Sequence, residues 1–153
     1  MRRVERVTGV LAAGAFAVIA CRAPRPAELD TRNDACALCR MAVSDARFAA
    51  QLAAPGELPR FFDDIGCLAT WLGQQQAPGG SIAFVADHRT RVWIRADRAV
   101  FTRVPGLETP MGSHLIAHAD AASRDQDPSA RGGAAVAPSE VFGATGPPVG
   151  EAR

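Results

Sequence analysis

Hydrophobic and polar positions divide this chain into three regimes. Residues 7–19 run apolar without a charge or a proline. Residues 34–118 alternate short apolar runs with polar turns, and beyond about residue 119 large apolar residues become isolated. In the middle regime Ile65, Leu68, Trp71 and Leu72 recur at helical spacing behind Asp63-Asp64. This predicts one amphipathic helix whose first turn is capped by one of the two aspartates, a carboxylate being a good acceptor for the unpartnered amides there. The run Gln74-Gln75-Gln76 before Pro78-Gly79-Gly80 ends it. Residues 81–86, 90–94 and 99–104 read as three strands, with residues 87–89 and 96–98 as turns. Upstream, residues 48–52 and 60–62 predict a strand pair around Pro55-Gly56. The order strand, strand, helix, three strands predicts an α+β domain, a small antiparallel sheet with one main helix.

The flanks assign the compartment. Arg2, Arg3 and Arg6, with Glu5 the only acid among them, precede the apolar run 7–19. Thirteen residues are too few to cross a hydrocarbon core, which takes about 20, but they match a secretory signal over residues 1–20. The run closes on Val18-Ile19-Ala20-Cys21, which resembles a lipobox, so Cys21 is expected to be the lipidated first residue of an exported, membrane-anchored protein. Residues 21–33 read as a flexible tether. Residues 119–153 are rich in Ala, Gly, Pro, Ser and Asp, and Val136, Val141, Phe142 and Val149 stand isolated; such a composition predicts a disordered tail. One domain, residues 34–118, remains, with a core of modest size. The formal charge is +1, and all 17 basic residues are scattered arginines, which gives no reason to expect nucleic acid.

Three thiols remain after Cys21: Cys36, Cys39 and Cys67. Cys36-Ala37-Leu38-Cys39-Arg40-Met41 lets two sulfurs converge on one ion or on each other, and Met41 adds a thioether. Thiolate and thioether are soft donors that select Cu(I) over harder ions. In an oxidising compartment the same pair could instead be a disulfide, structural or redox-active, or plain packing. A thioredoxin-like pair would sit between a strand and a helix, and no such strand precedes it. Thr109-Pro110-Met111-Gly112-Ser113-His114 presents Met111 from a constrained turn; a methionine alone is more often core filler. His114 and His118 each admit the reading of an ordinary histidine, and Cys67 that of a small core residue. Helix capping accounts for Asp63-Asp64 without chemistry. No hydrolytic triad or phosphate-cradling glycine loop is visible, so an enzyme is not expected.

The runs Asp34-Ala35-Cys36-Ala37-Leu38-Cys39-Arg40-Met41, Phe62-Asp63-Asp64-Ile65-Gly66-Cys67 and Thr109-Pro110-Met111-Gly112, with Ala49-Ala50-Gln51, Val85-Ala86-Asp87, Trp93 and Ala99-Val100-Phe101 between them, resemble the NosL family. These are copper-binding lipoproteins that serve as accessory proteins for nitrous oxide reductase. The resemblance implies a Cu(I) site of cysteine, methionine and histidine, and strand-strand-helix-strand units related to those of organomercurial lyase. Carried over by position, Met111 becomes the leading ligand, followed by Cys39, Met41 and Cys36; His114 is a further candidate of this chain's own rather than one carried over. It further implies a monomeric periplasmic copper chaperone for metallocentre assembly in denitrification. Its partners would be an apo-cuproenzyme, nitrous oxide reductase, and a membrane transporter. A periplasmic thiol-disulfide oxidoreductase using Cys36 and Cys39 is the alternative. Two positions depart from the family pattern, which usually has glycine where this chain has Arg40 and His114.

Overall fold

The computed structural model describes residues 23–150; the expected signal segment, residues 1–20, and Cys21 lie outside them. Strands β1 (Ala50–Ala53) and β2 (Arg60–Phe62) form the first hairpin, and helix α1 (Ile65–Gln74) follows. Next come β3 (Ile82–Ala86), β4 (Trp93–Arg95), β5 (Val100–Arg103) and β6 (Leu115–His118). Helix α2 (Ala121–Asp125), strand β7 (Ala134–Val136) and helix α3 (Pro138–Phe142) complete the described chain. The α+β expectation holds, with antiparallel pairing throughout the named strands.

These strands make two sheets, ordered β2-β1-β3-β4 and β6-β5-β7. Every residue of β3 is buried; it lies between β1 and β4, which is why Ile-Ala-Phe-Val-Ala shows no polar alternation. Strand β6 is likewise buried along its length, so Leu-Ile-Ala-His carries no period-two signal and was not expected as a strand. Its backbone meets the end of β3, where the His88 amide donates to the Ala117 carbonyl at 2.8 Å. Phe62, Leu52, Val85, Ile65, Leu68, Phe101 and Leu115 join in one core cluster that draws on both sheets and α1. Helix α1 begins and ends where the pattern puts it: Asp64 is the N-cap, its side chain accepting from the Gly66 amide, and Gln75 is the C-cap.

The flanks are more ordered than their composition predicts. Ala27 exchanges two hydrogen bonds with the buried side chain of Gln51, at 2.8 and 3.1 Å, so the stretch expected to be a tether is docked from there on. After His118 the described residues, up to 150, hold α2, β7 and α3 rather than a disordered tail. The physical reason is that this stretch needs no core of its own. The buried Asp87 carboxylate accepts from the Ala119 amide and the Ser123 hydroxyl, both at 2.8 Å, and β7 pairs with the free edge of β5. Phe142 sets its ring edge-on to Phe101, centroids 5.6 Å apart. Isolated apolar residues thus complete a surface that the main domain leaves open. Among the described residues no helix is long and apolar enough to cross a membrane.

Two variants check this order. Phe142→Ala should lower unfolding free energy in a denaturant titration by about 3 kcal/mol, and a chain ending at His118 should lose more. Unchanged midpoints in both would show that residues 119–150 contribute nothing to the core.

Candidate metal centre

The Cys36–Met41 loop is closed on itself by its backbone. The Cys36 amide donates to the Met41 carbonyl at 2.8 Å, and the Arg40 amide donates to the Cys36 carbonyl at 3.0 Å. The loop is fixed to the first sheet by the Ala37 amide, which donates to the Phe61 carbonyl at 2.7 Å. Such tight closure requires Arg40 in the left-handed region, φ 67°, a conformation that costs a residue with a side chain roughly 1–2 kcal/mol. Cys36 is thereby fully buried and Cys39 half-buried.

Asp63 and Cys67 arrive from β2 and α1. Because Asp64 supplies the N-cap, Asp63 is not consumed by capping. Its carboxylate, 2% exposed, accepts from the Cys39 thiol with both oxygens at 3.7 Å. Cys67 lies in the first turn of the helix, buried. Cys36, Cys39, Cys67 and Asp63 each offer a donor atom, and all four atoms lie within 4.8 Å of one another. The three cysteines are free thiols.

Burial sets their protonation. It pushes the Cys67 thiol far above its ordinary value, with Asp63 and Cys36 adding to the rise. It raises Cys39 as well, assisted by Cys36 and Asp63 and opposed by the Met41 amide. At neutral pH both therefore carry protons, and a cation that takes them as thiolates must displace those protons.

The turn bearing Met111 packs on the same helix end. The Gly112 amide returns to the Thr109 carbonyl at 3.0 Å, and the Met111 amide donates to Asp64 Oδ2 at 3.1 Å. Gly66 permits this approach, since a Cβ there would meet the Ser113 Cβ at 2.7 Å. Met111 and Met41 are both exposed, 47% and 58%. His114 is left-handed, φ 57°, and its Nδ1 is engaged with the Leu107 carbonyl at 2.7 Å, so Nε2 is the nitrogen left for a metal. Of the five residues expected to ligate, the structure brings Cys36 and Cys39 into one cluster. Met41 is tied to it through the Cys36 amide on its carbonyl, Met111 is held to the neighbouring Asp64 carboxylate through its amide, and His114 belongs to neither of the His/Cys/carboxylate groups of the described residues. Asp63 and Cys67 stood outside the ligand set expected from sequence, where they could only be joined with Cys39, as a carboxylate beside two thiols, if the fold brought them together; it does. Their separation by four residues across a helix start was the available signal, obscured because capping explained one and packing the other.

Three thiols and one carboxylate at one point form a mainly soft donor set that fits a copper ion. The NosL family model matches residues 26–144, and the chain belongs to that family. No curated protein and no solved structure matches it. Membership agrees with a copper-binding accessory role and with a family of periplasmic lipoproteins.

The strain at Arg40 is open to measurement. Arg40→Gly should stabilise the fold by about 0.5–1 kcal/mol, the relieved left-handed cost exceeding the entropy that glycine adds to the unfolded chain. A destabilised variant would mean that the Arg40 side chain holds the loop.

Proposed function

We propose that this member of the NosL family is a membrane-anchored periplasmic chaperone that takes up Cu(I) and passes it to an apo-cuproenzyme, nitrous oxide reductase. The observation that carries the reading is the convergence of Cys36, Cys39 and Cys67 beside Asp63. A monovalent ion neutralises one thiolate, and burying several unneutralised anions is costly. Copper uptake therefore converts only as many thiols as it must, and the rest stay protonated. The Asp63 carboxylate, already the acceptor for the Cys39 thiol, is the nearest base to relay the proton that leaves.

Exposed Met41 and Met111 suit the entry and exit of cargo. A thioether needs no deprotonation, so it can hold Cu(I) at the surface while a thiol is still protonated. Met111 sits on a short turn tethered to Asp64, beside the helix end that carries Cys67. His114, through Nε2, is the further donor of this rim. Delivery by ligand exchange from these residues to a client, and loading from a membrane transporter, is non-enzymatic work. Raised thiols count against the rival reading of a thiol-disulfide oxidoreductase, because exchange needs a thiolate at working pH. Acylation of Cys21 would supply the anchor.

Reduced protein should take one Cu(I) at the thiol cluster in a competition titration. Its apparent affinity should rise by about tenfold per pH unit for each proton displaced from Cys39 or Cys67, the thiols that burial raises. Cys39→Ser should weaken binding, and Met111→Leu should do so with little loss of stability, below about 1.5 kcal/mol. Copper held as tightly by both variants as by the parent would overturn the site. Anchoring is tested separately: Cys21→Ser should move the protein to the soluble periplasmic fraction or leave it uncleaved, whereas normal cleavage with unchanged membrane retention would remove the lipid from the account.

A further inference from the structure

A second cluster of ionisable side chains lies in the core, separate from the thiols. His88 follows β3, His118 ends β6, and Asp127 lies in the loop after α2. All three are buried, at 3, 0 and 5% exposure. His88 Nδ1 is 2.6 Å from Asp127 Oδ2, and His118 Nε2 is 3.0 Å from the same oxygen. The other carboxylate oxygen of Asp127 accepts the Ser129 amide at 2.8 Å, which fixes its orientation. The ring of His88 packs against Phe48, centroids 5.1 Å apart, so its plane is fixed too.

Hydrogen bonding within the cluster leaves much unpaired. One oxygen serves both imidazoles, while His88 Nε2 and His118 Nδ1 are buried without a partner. Two polar rings and a carboxylate placed where apolar side chains of similar volume would pack are costly unless something binds them together; the unpaired nitrogens are those opposite Asp127, while the atoms that converge are His88 Nδ1, His118 Nε2 and the carboxylate. Three donor atoms, two imidazole nitrogens and one carboxylate oxygen, lie within 4.8 Å of one another. A tetrahedral ion with bonds of ~2.0–2.1 Å wants its donors about 3.3 Å apart, so the contacts of Asp127 Oδ2 with His88 Nδ1 and His118 Nε2, now 2.6 and 3.0 Å, must open by about 0.7 and 0.3 Å.

We propose that His88 Nδ1, His118 Nε2 and Asp127 form a second metal site, specific for a borderline divalent cation such as Zn(II) and distinct from the soft thiol site. Two imidazoles and a carboxylate match that ion class rather than Cu(I). On binding, each ring carries its proton on the outer nitrogen and turns the inner lone pair to the metal. As a carboxylate, the third donor offsets part of the ion's charge. The site joins β3, β6 and the segment after α2, so the ion fastens residues 119–150 to the sheets. With donors this deeply buried, exchange requires local opening, and the ion should leave slowly.

Co(II) serves as the probe, because its spectrum reports its ligands. Reduced full-length protein saturated with Cu(I) should bind one further Co(II) with tetrahedral d–d absorption and no thiolate charge-transfer band, and Zn(II) should displace it. His88→Phe and His118→Phe should each lower the affinity by about 100-fold or more while leaving Cu(I) stoichiometry intact. Asp127→Asn, which keeps the shape and removes the charge, should do the same if the Phe variants fail to fold. Cys39→Ser should leave the cobalt spectrum unchanged, so a failed copper site is told apart from a failed divalent one. Absence of a further Co(II), a thiolate band in its spectrum, or equal affinity in the folded variants would overturn the proposal.

Discussion

Asp64 has no access to solvent, and each oxygen of its carboxylate is committed to an amide that would otherwise go unpaired. Oδ1 takes the Gly66 amide at 2.6 Å and starts α1, while Oδ2 takes the Met111 amide at 3.1 Å and holds the turn of residues 109–112. A buried carboxylate tolerates its charge only when hydrogen bonds replace its water, so the two contacts support each other. The arrangement of the thiol site depends on this bridge. It fixes the helix that carries Cys67, it leaves the preceding Asp63 free for the thiols, and it sets an exposed methionine against the helix end. An asparagine could accept only one of the two amides and would face the other with a donor.

The same economy explains where this chain departs from its family. Arg40 and His114, which the resemblance sets at positions usually held by glycine, are both left-handed, φ 67° and 57°. Glycine meets that backbone demand without cost. Arg40 meets it because the Cys36–Met41 loop is closed by two main-chain hydrogen bonds. His114 recovers part of its cost through Nδ1 and the Leu107 carbonyl. The geometry of both loops is therefore kept while their chemistry changes, with a guanidinium beside the cysteine pair and an imidazole behind the methionine turn.

What the sequence made legible follows from which signals are local. Helix α1 and its aspartate cap, the β1–β2 hairpin and the strand β3 are written in short-range periodicity and turn residues, and they appear within a residue or two of their expected places. Strand β6 was not legible because it is buried along its whole length, so no alternation marks it. Residues 119–150 misled for a different reason. Composition measures whether a segment can build its own core, and Phe142 instead borrows Phe101 from β5. The site divides along the same line. Cys36 and Cys39 are separated by two residues and visible together, whereas Asp63 and Cys67 join them only through the packing of α1 against the first sheet. His88, His118 and Asp127 meet from the turn after β3, the end of β6 and the loop after α2, and nothing in their spacing announces it.

Proton occupancy links the architecture to copper handling. A cluster of ionised thiolates would bind copper tightly but would bring several uncompensated negative charges into a buried space, where their repulsion is weakly screened. Raising the thiols by burial avoids that state: Cys39 and Cys67 are neutral until a cation arrives. Binding then carries the work of deprotonation, which moderates affinity and makes the reverse step, release with reprotonation, accessible. The exposed thioethers require no such exchange of protons, so they hold the ion more weakly but at a rate free of proton transfer. For the proposed copper carrier, a donor set graded from surface thioether to buried thiol would give the ion a path with no deeply stable stopping point, and that gradient, more than the strength of any one ligand, is what such a role requires.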